Sequence, residues 1–290
     1  MAQRLTQPMS QEGTEEQLET FRSDGFLVIE RDFLDRAAVE RVRDRFARVF
    51  EGIYETGIQP DEVKWVPGRD PEDQTRQVCN SWKADRTLAS HLLAARTGRL
   101  VASLMGWAGV RVLQDVCIWK PPGAPPLPMH RDGARLGYLV PAESVTCWLA
   151  LDSTTRDAGA ITYARGSHLW PMAIRTISAS GDDWLAPAKA AMPAGSELDL
   201  VPAEVQAGGA IFHRYDTFHG YGPNEVDVST RGIITHFARP DTRFDEKKVN
   251  PVYSRYRRVD DLSLDESFFP IVWTQDGKRS AWLDEFSDPA

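Results

Sequence analysis

The segment Met129-His130-Arg131-Asp132 constrains this chain more than any other. Residues two apart on an extended strand point to the same face, so His130 and Asp132 can both reach one metal ion from a single short stretch. A third ligand then has to come from a different strand. Phe218-His219-Gly220 supplies a histidine far downstream, and Arg231 lies one strand beyond it. Two histidines and one carboxylate make the facial triad of a non-haem Fe(II) oxygenase. An arginine near the third ligand offers a cationic fork for a carboxylate, as binding of 2-oxoglutarate requires.

Charge and composition exclude several alternatives. The net charge is -8 and no Lys/Arg-rich run is present, whereas nucleic-acid binding depends on clustered basic residues that displace counterions. No stretch reaches the roughly 20 apolar residues of a membrane span, and the N-terminus lacks the apolar core of a signal peptide. The expected setting is cytoplasmic, without nucleic-acid or membrane partners, the chain acting as monomer or homodimer on a small molecule. Cys79, Cys117 and Cys147 are unclustered and read as small buried hydrophobes. With 290 residues, 42% of them apolar, the chain has material for a sizeable core.

Thr14-Glu15-Glu16-Gln17 is a capping box that starts a helix to about Ser23, and Phe26 to Glu30 follows as a short buried strand. Asp35 caps a second helix through about Phe50, with Val39, Val42, Phe46 and Phe50 at helical spacing. Residues 51–80 lack periodicity and read as a long loop walling a substrate site. Helical spacing returns over 84–105. Val110 to Lys120 is a strand closed by Pro121-Pro122-Gly123, and further strands are expected at 144–152, 160–163, 204–206, 210–213 and 232–238. This order predicts one domain over 1–290: a helical N-terminal layer at about 14–105, a mainly β barrel or sandwich core at about 110–240, and a tail from 241.

FRSDGFLVIERDFLD from Phe21, IWKPP, HRD, VTCWLALDSTTRDAGAITYARGSH and GGAIFHRYDTFHGYGPN, with the downstream Arg231, occur in that order. As an ordered set they resemble the phytanoyl-CoA dioxygenase family of Fe(II)/2-oxoglutarate oxygenases. The resemblance implies a double-stranded β-helix, or jelly roll, with His130, Asp132 and His219 as iron ligands and with 2-oxoglutarate and O2 as cosubstrates. It implies that Arg231 pairs with the distal carboxylate of 2-oxoglutarate, with Arg239 as fallback. It also places Trp148 beside that cosubstrate, and Gln114 is a polar contact from the strand before the motif. Two departures stand out. The interval from His219 to Arg231 is one residue longer than in the animal enzyme, so a bulge or longer turn is needed. Tyr221 stands where the family has a serine.

If Arg231, Ile233, Thr235 and Phe237 face inward, His236 faces outward and is structural. His91 and His168 read as structural, and His213 yields to His219 on the family pattern. Because Asp132 is present, halogenation, which needs a small residue there, is disfavoured. The expected reaction is hydrogen abstraction from an unactivated C–H, leading to hydroxylation or oxidative ring closure. Tyr54, Trp65, Tyr138, Trp170, Trp184, Tyr253, Tyr256 and Trp273, interspersed with charged residues, point to a natural-product substrate such as an oligosaccharide of the orthosomycin or aminoglycoside kind. A small amino acid or lipid-derived acid, or a non-catalytic jelly-roll binding protein, are the other readings. The histidines must be neutral to coordinate, so metal binding is expected to weaken below about pH 6.

Overall fold

A computed structural model describes residues 12–171 and 183–286. Helix α1 (Glu15–Asp24) starts at the expected box: Thr14 accepts from the Gln17 N–H, and the Gln17 side chain accepts from the Thr14 N–H. Strand β1 (Phe26–Ile29) and helix α2 (Arg36–Phe50) follow, the latter capped by Asp35. The stretch expected to be a loop instead contains β2 (Glu62–Val63) and β3 (Arg76–Cys79). They are too short for a visible period, and pairing with a neighbour makes them strands. The helical stretch that follows splits into α3 (Arg86–Leu92) and α4 (Ala95–Met105).

The β-rich part comprises β4 (Gly109–Lys120), β5 (Leu127–His130), β6 (Leu139–Val140), β7 (Val145–Ala150) and β8 (Ile161–Ala164). After α5 (Ala186–Ala191) come β9 (Leu200–Pro202), β10 (Ala210–Arg214), β11 (His219–Tyr221) and β12 (Thr230–Ala238). The tail adds β13 (Arg243–Phe244), a 3-10 turn at Tyr253–Tyr256, β14 (Ile271–Thr274) and α6 (Leu283–Phe286). The expected strand at 204–206 is only an isolated bridge from Val205 to Thr154.

The major sheet has the antiparallel order β1-β10-β7-β12-β4-β3-β2, with β14 also on β4, and the minor sheet runs β5-β11-β8-β9. Two facing antiparallel sheets with helices on one outer side form the expected jelly roll. The helices seal the outer face of the major sheet: Val39, Val42, Phe46 and Val49 of α2 join Phe212, Ile233 and Phe237 in one core. That packing sets the phase of β12. Ile233 and Phe237 belong to the helix side, so Thr230, Gly232, Ile234 and His236 face the space between the sheets. The expectation that Arg231 and Ile233 face inward and His236 outward is therefore reversed. The three cysteines are free and buried as expected.

Candidate metal centre

Strand β5 ends at His130, and Arg131 keeps an extended backbone (φ -115°, ψ 132°), so Asp132 retains the same face although it already opens a 3-10 turn. Strand β11 lies against β5 with His219 opposite His130. One ligand atom each from His130, Asp132 and His219 lies within 4.8 Å of the others.

Hydrogen bonds fix which atoms are presented. Nδ1 of His130 donates to the Pro128 carbonyl at 3.0 Å, and Nδ1 of His219 donates to the Thr217 carbonyl at 3.0 Å. Each ring is thereby held as the tautomer with a bare Nε2, and both Nε2 atoms stand 3.7 Å from Oδ1 of Asp132. The other carboxylate oxygen is occupied. Oδ2 accepts from the Thr146 hydroxyl at 2.7 Å and from Nε2 of His213 at 3.2 Å. Thr146 in turn accepts from Nδ1 of His236 at 2.9 Å, and Nδ1 of His213 accepts from the Tyr163 hydroxyl at 2.9 Å. Two nitrogens and one oxygen thus converge with no proton among them, a donor set that fits a divalent cation.

The electrostatics agree. Burial, which alone would raise the Asp132 pKa, is outweighed by His219, His213 and His236, so the carboxyl is held well below the usual carboxylate range. Burial, reinforced by the neighbouring histidines, pushes His130 and His219 down to about 4. Weakening of metal binding is accordingly expected nearer pH 4 than pH 6. The apoprotein responds to acid as well: unfolded histidines take up protons below about pH 6.5 while the folded ones resist until about 4, so stability is lost as pH falls through that window. Urea unfolding of apoprotein at pH 7, 6 and 5 should give midpoints that fall, and a flat series would contradict buried neutral imidazoles.

The phytanoyl-CoA dioxygenase family model matches residues 21–232, most of the chain. The chain belongs to the phytanoyl-CoA dioxygenase family. This family member is 33% identical over 118 residues to dioxygenase trt7 of Aspergillus terreus, a match covering 39% of this chain and 35% of the relative, so it spans about a third of that protein's length. Among solved structures it resembles the non-haem α-ketoglutarate-dependent carbocyclase SnoK from nogalamycin biosynthesis, with TM-score 0.72, 22% identity and coverage of 92% of this chain and 100% of that one. It also resembles the epimerase SnoN solved with Fe3+, α-ketoglutarate and nogalamycin RO, with TM-score 0.69, 20% identity and coverage of 89% and 98%. At such identities the likeness shows a shared fold.

In this phytanoyl-CoA dioxygenase family protein the remaining expected site residues divide. Gln114 and Trp148 line the same cavity of about 380 Å³ as the triad, and Oε1 of Gln114 accepts from the Tyr253 hydroxyl. Arg231 does not line it. Its guanidinium grips Asp152 through Nε at 2.8 Å and Nη2 at 2.9 Å, on the helix side where Arg43 joins the same carboxylate. The local pairing does not turn it inward: Arg231 stands opposite Trp119 in a stretch of the ladder with β4 that is regular from Thr230 to His236. Arg239 binds Asp241 and also lies outside the cavity. Arg231→Gln should therefore cost about 1–2 kcal/mol of folding stability in urea unfolding, the scale of a charge-assisted pair in a partly exposed setting.

Sequence reasoning missed Thr146, His213, His236 and Tyr163 as the frame around Asp132. Thr146 was within reach of it, since it shares a strand face with Trp148 two residues on. His236, expected to face outward, lines the cavity because the phase of β12 is inverted. His91 and His168 stay away from the triad; Nε2 of His168 bonds the Arg22 carbonyl. Among the described residues no helix is long and apolar enough to cross a membrane.

Proposed function

We propose that the protein is an Fe(II)- and 2-oxoglutarate-dependent oxygenase that abstracts hydrogen from an unactivated C–H of a natural product with a largely apolar body, leading to hydroxylation or ring closure. The observation that carries this reading is the convergence of Nε2 of His130, Nε2 of His219 and Oδ1 of Asp132, all unprotonated and oriented by their other atoms. Those three residues would hold the iron, which with 2-oxoglutarate and dioxygen supplies the oxidising power. The chain's own contribution is orientation and exclusion of water. His219, His213 and His236 keep Asp132 ionised, and the hydrogen bonds from Thr146 and His213 aim it.

The cavity walls support the substrate class. Leu113, Val116, Ile118, Leu136, Ile234 and Val252 form an apolar lining, and Gln77, Gln114 and Asn250 give isolated polar contacts. Of the aromatics expected to form sugar-binding platforms, only Tyr138 lines the cavity. Trp65 donates to the Pro71 carbonyl, Trp170 packs on Phe218, and Trp273 packs on the helical layer. Residues 172–182, between Trp170 and Trp184 of that aromatic set, lie outside the described residues. A fused-ring or terpenoid body with few polar substituents matches this lining better than an oligosaccharide. SnoK and SnoN, both from nogalamycin biosynthesis, are consistent with a natural-product substrate.

The test has two stages. Anaerobic addition of Fe(II) and then 2-oxoglutarate should produce the weak visible metal-to-ligand charge-transfer band. Succinate formation in air should then rise at least severalfold with polycyclic polyketides or terpenoids and stay at the uncoupled level with saccharides. Absence of the band in folded protein would overturn the oxygenase reading; stimulation by saccharides alone would overturn the substrate class.

A further inference from the structure

With Arg231 committed to Asp152 on the helix side, another cation has to serve the cosubstrate end of the cavity. Lys120, the last residue of β4, is 4% exposed and lines the cavity with the triad. Its ammonium donates to the carbonyls of Gly159 at 2.9 Å and Gly222 at 3.3 Å, and lies 3.8 Å from the centre of the Tyr221 ring. Two of its three N–H donors are thus placed on neutral carbonyls. Among the described residues no carboxylate pairs with it. Burial lowers its pKa to about 7, the mark of a charge that the fold itself does not balance. The fit at Gly159 is close: a Cβ there would stand 2.0 Å from Nζ, so the lysine occupies the room that glycine leaves.

Two further observations point to a ligand at this spot. Oγ1 of Thr154 is buried and without a hydrogen-bond partner, and Thr154 lines the same cavity. Thr230 lines it too and stands opposite Lys120 in the β4–β12 ladder. Tyr221, on which Lys120 rests, follows His219 by two residues on β11, so it shares the metal-facing side roughly 6–7 Å farther along the strand. That is a fitting span for a five-carbon dicarboxylate whose oxo-acid end is at the metal.

We propose that Lys120, with the hydroxyls of Thr154 and Thr230, positions the distal carboxylate of 2-oxoglutarate, the role that the family resemblance implies for Arg231. The inference rests on the oxygenase reading above. The other cations lining the cavity fit less well. Lys64 pairs with Glu62, and Arg135 is exposed on the turn after Asp132. Placing the cation on β4 frees β12 to put the small residue Gly232 on the cavity side, and it accounts for Tyr221 at the position where the family has serine: the ring supports the ammonium.

The experiment compares two oxo acids, 2-oxoglutarate and 2-oxobutanoate, which lacks the distal carboxylate. Each is titrated anaerobically into Fe(II)-loaded wild type, Lys120→Met, Thr154→Val, Arg231→Gln and Arg135→Gln, with the charge-transfer band as readout. Lys120→Met should weaken 2-oxoglutarate on the order of 10- to 100-fold and leave 2-oxobutanoate unchanged. Thr154→Val should weaken 2-oxoglutarate by about 3- to 10-fold with the same selectivity. Arg231→Gln and Arg135→Gln should stay within about 3-fold of wild type. Replacing a buried unpaired cation by a neutral chain of similar length favours folding, and the melting temperature of each sample is read alongside. If Lys120→Met still fails to fold, Thr154→Val decides. Undiminished 2-oxoglutarate affinity in Lys120→Met, equal loss of both acids, or a selective loss in Arg231→Gln or Arg135→Gln would each overturn the proposal. A wild type without any band would count instead against the oxygenase reading.

Discussion

Asp132→Ala is expected to lower Fe(II) affinity by well over 100-fold and to abolish substrate-dependent succinate formation. Changes to groups that merely orient a ligand cost about 10- to 100-fold in metal affinity, so loss of the ligand itself must cost more. Removing the carboxylate also strands the Thr146 hydroxyl and Nε2 of His213, which now donate to its Oδ2. Some of the damage would then be to folding, at about 1–3 kcal/mol for each stranded donor. Asp132→Asn separates the two effects. Its amide oxygen can still accept from Thr146 and His213, so the melting temperature of the apoprotein should stay closer to wild type while the iron is lost. Thr146→Val should fall between, with about 10-fold weaker metal binding, because the aspartate remains but loses one of its anchors. Fe(II) titration with melting curves on the three variants checks the order, and wild-type affinity in Asp132→Asn would remove Asp132 from the ligand set.

The second large effect is expected at a residue with no side chain of its own. Gly220 sits between His219 and Tyr221, and a Cβ there would lie 2.7 Å from the Leu127 carbonyl oxygen and 2.9 Å from the Met129 nitrogen. Both are backbone atoms of or beside β5, so the clash cannot be relieved by turning a side chain. In Gly220→Ala β11 has to move off β5, and with it His219 moves away from His130, its register partner. A displacement of about 1 Å is worth roughly 100-fold where geometry matters, so metal binding and turnover should both fall by about that factor. Co(II) absorption, which reports coordination geometry without oxidation, together with succinate assays, measures it. A variant with wild-type Co(II) spectrum and turnover would mean that β5 and β11 have slack.

How far the sequence could be read depended on how local each signal was. The Thr14 and Asp35 caps and the apolar stripe of α2 act within a few residues, and they marked the first two helices closely. The pair His130 and Asp132 was legible because strand alternation puts both on one side. Strands β2 and β3 were illegible, since four residues or fewer carry no period, and β3, on which β2 pairs, finds its other partner β4 well away in sequence. The phase of β12 was the costly error. Its sequence, TRGIITHFA, has side chains suited to either face: Ile233 and Phe237 belong inside by hydropathy, but inside the helix-facing core rather than the cavity. Period two gives two sets of residues without saying which solvent or core each will meet. Lys120 went unnoticed for a related reason, because a lysine at a strand end ordinarily reads as a solvated terminus.

Residues from two places complete the cavity wall: Glu62, Lys64 and Gln77 around β2 and β3, and Asn250 to Val252 from the tail, which Tyr253 fastens to Gln114. The three proposed metal ligands, His130, Asp132 and His219, come from the stretch between these segments. Part of the wall that meets a substrate is therefore written outside the stretch that carries the chemistry. Changes at either end can reshape what is admitted while the reactive centre is inherited intact, so a lineage built on this plan can acquire new substrates without having to reinvent its oxidant.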